Sequence, residues 1–132
     1  MNITKLSKQR LMLTATRWTV PREYYDPLFN YLVYGFEPGS FWTAVLANDF
    51  GRAVQHSHPS NDISTLKNVV GWMQNSFPWK SYGDYEKIRK WLELDAIDRR
   101  IYLEDSRLVY TEQEEIMLAL KGVEAKPEPI MW

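Results

Sequence analysis

No cysteine occurs in the chain, and that absence excludes disulfides, thiolate zinc sites and thiol nucleophiles. It fits a reducing compartment. No apolar run approaches the roughly 20 residues that a helix needs to cross a bilayer. The stretch from Met1 to Trp18 has bases but no uninterrupted apolar segment and no small-residue cleavage pattern, so it is not read as a signal peptide. The expected location is the cytoplasm, with no membrane partner. A dominant charge is missing too, since the formal net charge is −1. That gives no whole-molecule pull toward nucleic acid and argues against a highly acidic mimic of it. Internal repeats and low-complexity tracts are absent, and glycine and proline are too few for wholesale disorder.

What is present suits one domain. A chain of 132 residues can bury a core without metals or cross-links. The expected domain spans residues 1–125, with its core at 21–94. Residues 126–132 form an extended tail with Pro127 and Pro129, from which Trp132 either docks or stays free. Charge is distributed unevenly. Lys5, Lys8, Arg10, Arg17 and Arg22 meet no acid before residue 23, whereas acids outnumber bases after residue 103. Either the two ends lie together and partly neutralise, or the first residues form a basic arm that touches phosphate or an acidic partner. Six tryptophans, eight tyrosines and five phenylalanines are concentrated between Tyr24 and Trp91. One small core has trouble hiding so many rings, so some are expected at a binding surface.

The pattern predicts a mainly α fold, a small bundle of four to five helices. The first runs from Pro21 or Asp26-Pro27 to a stop at Gly35. The second is capped by Ser40 and runs from Phe41 to about Gln55, with apolar residues on more than one face, as expected of a central helix. The third opens at Asn61 or Asp62, buries Ile63, Leu66, Val70, Met73 and Phe77, and closes at Pro78. The fourth opens at Ser81 or Asp84 and turns Ile88, Trp91 and Leu92 inward. The last starts at a capping box of Thr111 and Glu114, turns Ile116 and Leu120 inward and stops at Gly122. Alternation of Ile101, Leu103, Leu108 and Tyr110 favours a minor β-hairpin over residues 100–110, turning at Glu104 to Ser106. Threonines at 14, 16 and 19 tilt residues 10–18 toward extended structure.

Chemistry is sparse. His56 and His58 form a His-x-His pair, but no zinc signature accompanies them, and surface histidines explain them. Ser40 lacks a nucleophile elbow. The paired acids at Asp95 and Asp98, and at Glu112 to Glu115, have no apolar setting that would shift a pKa. The Pro-Gly-Ser turn at Gly39 and Ser40 is a different matter, because a helix start presents free N–H groups to an anion. Phe41, Trp42 or Trp79 would then stack on a base. Asn48 and Asp49, polar residues within an apolar helix, either hold a neighbouring loop or line a groove.

The run Tyr31-Leu32-Val33-Tyr34-Gly35, Pro38-Gly39-Ser40-Phe41 and Ala44-Val45-Leu46-Ala47-Asn48-Asp49 resembles a group of small bacteriophage-encoded proteins of uncharacterised function. Their pattern is Tyr-Leu-x-x-Gly-x-x-Pro-Gly-Ser-Phe-x-x-Ala-Val-Leu-x-Asn-Asp. Asn61, Pro78, Ser81-Tyr82-Gly83 and Trp91 have looser counterparts in that group. The resemblance covers roughly residues 21–93, implies a phage origin and carries over no catalytic residue.

The expectation is therefore a phage accessory protein, not an enzyme, that binds a host or phage macromolecule, to modulate host takeover or counter a defence system. Its candidate binding residues are Gly39, Ser40, Phe41, Trp42, Asn48, Asp49 and Trp79. A protein partner leads. The alternatives are a nucleotide or other anion at Ser40, or nucleic acid at Lys5, Lys8, Arg10 and Arg17. A homo-oligomer is compatible with either. No cofactor and no metal are called for.

Overall fold

Short polar side chains start most of the helices, and their spacing sets the element order. The computed structural model describes residues 3–57, 62–122 and 132. Among these residues the fold is mainly α, with eight α-helices and no strand. That is more helices than the four to five expected.

Helix α1 spans Lys5–Arg17, and Thr4 caps it by accepting the Ser7 N–H at 3.2 Å. The extended structure expected at residues 10–18 is not there. The threonine penalty in a helix is only a few tenths of a kcal/mol, and burial of Leu11 and Ala15 outweighs it. Thr14 and Thr16 fold their hydroxyls back onto the carbonyls of Leu11 and Met12, at 2.7 and 2.8 Å.

A 3₁₀ turn at Arg22–Tyr24 leads into α2, Tyr25–Phe29. The helix then widens into a π-helical segment, Asn30–Tyr34, and ends at Gly35 with φ 69°. The expected start and stop both hold.

The expected central helix is two helices, α3 (Ser40–Leu46) and α4 (Phe50–His56). Asn48 breaks it by taking the left-handed conformation, φ 61°. The N–H of Asp49 reaches back to Ala44 at 2.9 Å and that of Asn48 to Val45 at 3.1 Å. This pair of bonds is a Schellman closure. Asp49 then caps α4 by accepting the Arg52 N–H at 3.2 Å. The second half is not central as expected, since Phe50 and Val54 are exposed on α4. Ser40 is not a side-chain cap either; the N-cap is Gly39, at φ 90°.

Helix α5 (Ile63–Ser76) is capped by Asp62, whose Oδ1 accepts the Thr65 N–H at 2.7 Å. Asn61 lies outside the described residues. The buried stripe is Val69, Trp72, Met73 and then Phe77, whereas Ile63 faces solvent. Gly71 admits the ring of Trp18, the residue that follows α1, since a Cβ there would sit 2.5 Å from it. A 3₁₀ turn, Trp79–Ser81, precedes α6 (Tyr85–Glu93), which is capped by Asp84. Ile88 and Trp91 are buried as expected.

Residues 96–105 form α7 (Ala96–Asp105), capped by Asp95, and this overturns the hairpin. The alternating pattern has another cause. Arg107 closes α7 in the left-handed conformation, φ 61°, and the Leu108 N–H bonds to the Leu103 carbonyl at 3.1 Å. Leu103 and Leu108 are thus the apolar pair that flanks a Schellman end. Helix α8 (Glu112–Leu120) has the expected capping box and is followed by Gly122 at φ 83°. Its orientation differs from expectation. Leu120 is 83% exposed and Ile116 points outward, while Glu115 is buried.

The core gathers around α2 and the π-helical segment. The Phe29 ring meets Trp72 edge-on at 5.6 Å, Tyr25 at 5.0 Å and Trp132 at 4.8 Å. Trp132 is docked, not free. Its indole donates to Asn30 Oδ1 at 2.8 Å, and Arg22 donates to its main-chain oxygen at 2.6 Å. Tail residues 126–131 lie outside the described residues.

A third Schellman end closes α1, and here the left-handed residue is Thr19, φ 55°. A β-branched residue in that region costs about 1–2 kcal/mol. Thr19→Gly should therefore raise stability by about 1 kcal/mol, with the melting temperature rising by about 3 °C in circular dichroism. A fall in melting temperature would show that Thr19 is not strained.

Candidate binding surfaces

The π-helical segment braces the turn before α6, α6 itself and α7. Its Tyr31 hydroxyl donates to the Ser81 carbonyl at 2.7 Å, and its Tyr31 carbonyl accepts the Trp91 indole N–H at 3.1 Å. The Val33 carbonyl accepts Arg99 Nε at 3.3 Å, and Arg99 also donates to the Leu94 carbonyl. Arg99 is buried, and that burial pulls its pKa below the ordinary arginine value. Gly35 makes room for it, because a Cβ at Gly35 would lie 2.7 Å from the guanidinium. Burial likewise raises the pKa of the Tyr31 hydroxyl.

Trp79 stands on the turn that this brace holds. Ser81, buried at its end, also donates its hydroxyl to the Pro78 carbonyl at 2.7 Å. The indole itself is 64% exposed. Lys80 and Lys87 place their ammonium groups 4.9 and 5.1 Å from its centroid. Lys87 also donates to the Trp79 carbonyl at 3.3 Å. On the other side of the α6 start, the Tyr85 hydroxyl donates to Asp49 Oδ2 at 2.6 Å, and Arg52 lies over the Tyr85 ring. The Tyr85 hydroxyl and the Arg52 N–H hold the Asp49 carboxyl below its ordinary value, and the same bond raises Tyr85. Phe50 projects from the next position, fully outward.

The candidate residues therefore separate. Gly39 and Ser40 begin α3, and Asn48 and Asp49 follow its end, about 10 Å of helix away. A Cβ at Gly39 would meet nothing within 4 Å. Trp42 is buried against Tyr24 at 4.9 Å, and Phe41 packs half-buried on Trp42. Trp42 is thus a core residue and offers no face to a base. Asn48 serves as the left-handed end of α3 and Asp49 as a cap joined to Tyr85. Of the seven candidates, Asp49 and Trp79 each touch the first turn of α6, Asp49 through Tyr85 and Trp79 through Lys87.

The basic residues near the N-terminus are no arm. They lie on α1. Lys8 is buried and places its ammonium over the Trp132 ring. Lys5 is half-buried. Arg10 and Arg17 border a cleft of about 530 Å³ whose far wall is the end of α5 and the α7–α8 connection. The two chain ends do meet here. Ser7 donates to Glu115 at 2.9 Å and accepts the Tyr110 N–H at 3.1 Å. Arg100 joins Glu115 at 2.6 Å and Glu104 at 2.9 Å. Arg99, Arg100 and Arg107 were not singled out from sequence, and Glu115, weighed there among acids without an apolar setting, is buried. Only the Arg100–Glu104 spacing gave a local signal.

His58 lies outside the described residues. Among the described ones, no three histidine, aspartate or glutamate side chains converge as metal ligands, and no helix is long and apolar enough to cross a membrane. No protein-family model, curated protein or solved structure matches the chain significantly.

Arg107 grips Glu114 with both guanidinium branches, at 2.7 and 2.9 Å, and holds that carboxyl down at about 2. A carboxyl lowered in the folded state adds stability above its unfolded value, and loses it as pH falls through the folded one. Stability should thus decline between about pH 4.5 and pH 2. Glu114→Gln should flatten that part of a pH-dependent denaturation curve. An unchanged slope would mean that the pair has no energetic role.

Proposed function

We propose that this chain is a bacteriophage accessory protein that acts in the host cytoplasm by binding a macromolecule, to modulate host takeover or counter a defence. The partner is a protein, and the contact is made by the surface around Trp79. The observation that carries this reading is a largely exposed indole on a turn braced from the core through Tyr31 and Ser81. Tryptophan is among the residues most often found at the energetic centre of interfaces, and a rigid mount spares the ordering cost of binding. Lys80 and Lys87 hold positive charge against the indole, which suits an acidic partner. The resemblance of residues 31–49 to small phage proteins supports the phage origin.

Tagged wild-type protein and Trp79→Ala, each expressed in infected host cells, provide the test. The variant removes an exposed ring, so its circular dichroism melting curve should match that of the wild type. Recovery of the principal co-purifying protein should drop at least about tenfold, as for a hot-spot truncation. Equal recovery by both proteins would rule out the Trp79 surface as the contact.

A further inference from the structure

The cleft beside α1 is built by other residues than the Trp79 surface. Arg10, Leu13, Thr14 and Arg17 recur at helical spacing, so they share one face of α1. Arg10 and Arg17 are two turns apart, about 10 Å along the axis. Arg10 is fixed from two sides. Its Nε donates to the Arg107 carbonyl at 2.6 Å, and its guanidinium lies 4.7 Å from the Tyr110 ring centroid. Its two Nη nitrogens are left without a partner among the described residues. Arg17 is exposed and has no acceptor there at all. Arg107 is already neutralised by Glu114, so it positions Arg10 and adds no net charge.

None of the described residues that line the cleft is a carboxylate. Ser76 and Ser106 supply hydroxyl groups on the wall opposite α1. The volume, about 530 Å³, falls within the range of small-ligand sites, roughly 300–1,000 Å³. A planar guanidinium with free Nη donors matches the oxygens of a phosphate better than those of any neutral group.

We propose that this cleft binds phosphate esters of nucleotide size, with Arg10 and Arg17 each engaging a phosphate. The phosphate belongs either to a free nucleotide or to the end of a nucleic-acid strand, and the chemistry is the same for both. Calorimetric titration of the full chain at low salt with ATP, inorganic phosphate and a short single-stranded oligothymidylate tests it. ATP or the oligonucleotide should bind more tightly than inorganic phosphate. Arg17→Gln and Arg10→Gln should each weaken that binding about tenfold. Arg17→Gln should also melt like the wild type, since Arg17 has no partner to lose. Lys67→Gln, outside the cleft on α5, should bind unchanged.

Tighter binding of the oligonucleotide than of ATP, with log affinity falling by about 1.4 per decade of salt for two engaged phosphates, identifies a strand as the source. Tighter binding of ATP identifies a free nucleotide. Absence of binding by all three probes overturns the proposal. So does wild-type affinity in both arginine variants, or an equal loss in Lys67→Gln.

Discussion

A backbone carbonyl has two lone pairs, so beside its helical N–H it can accept a second donor, as the Tyr31 carbonyl does while holding the Gly35 N–H at 3.1 Å. Here that property organises the fold. The Tyr31 carbonyl takes the Trp91 indole from α6, and the Val33 carbonyl takes Arg99 from α7. The Tyr31 hydroxyl crosses to the turn that carries Trp79. Three later elements are positioned by one five-residue stretch. All of these bonds are at least partly buried, and losing one member would leave a polar group unsatisfied, at a cost of about 1–3 kcal/mol. Gly35 belongs to the same arrangement. It ends the wide turn in a left-handed conformation and leaves the space that Arg99 fills.

A second polar centre joins the chain ends. Glu115 is buried but accepts from both Ser7 and Arg100, so its charge is matched by hydrogen bonds and a cation. Such a pair contributes modest net stability, yet removing one partner leaves a buried charge. It also decides which way α8 faces. With Glu115 turned inward, Ile116 and Leu120 are left outside. The same junction shapes the α1 cleft, since the α7–α8 connection supplies one wall and the carbonyl that fixes Arg10.

Local chemistry was legible in the sequence and long-range chemistry was not. The caps at Asp62, Asp84 and Thr111, and the stops at Gly35 and Gly122, each involve residues within one turn of one another, and they read correctly. The split after Leu46 did not, because the left-handed residue is Asn48 and not glycine. The α7 end was misread for the same reason at Arg107, and its leucine pair imitated a strand. Helix α8 was assigned the wrong inner face because Ser7, one of the partners that turn Glu115 inward, lies 108 residues away. Aromatic residues posed a similar problem. Nothing in their type separates Trp42, which packs on Tyr24, from Trp79, which stands in solvent. Arg10 and Arg17 stood out as charges, but the opposite wall of their cleft comes from residues 75 to 110.

The two surfaces inherit their rigidity from these centres, the Trp79 turn from the π-helical brace and the cleft from the Glu115 junction. The brace is the more consequential claim. Hydrogen exchange of the tryptophan indole protons, followed by nuclear magnetic resonance, tests it directly. The Trp91 indole proton should exchange only through global unfolding, with protection equal to the full stability of the domain. The Trp79 indole should exchange like a free one. Rapid exchange at Trp91, comparable to that at Trp79, would contradict the account.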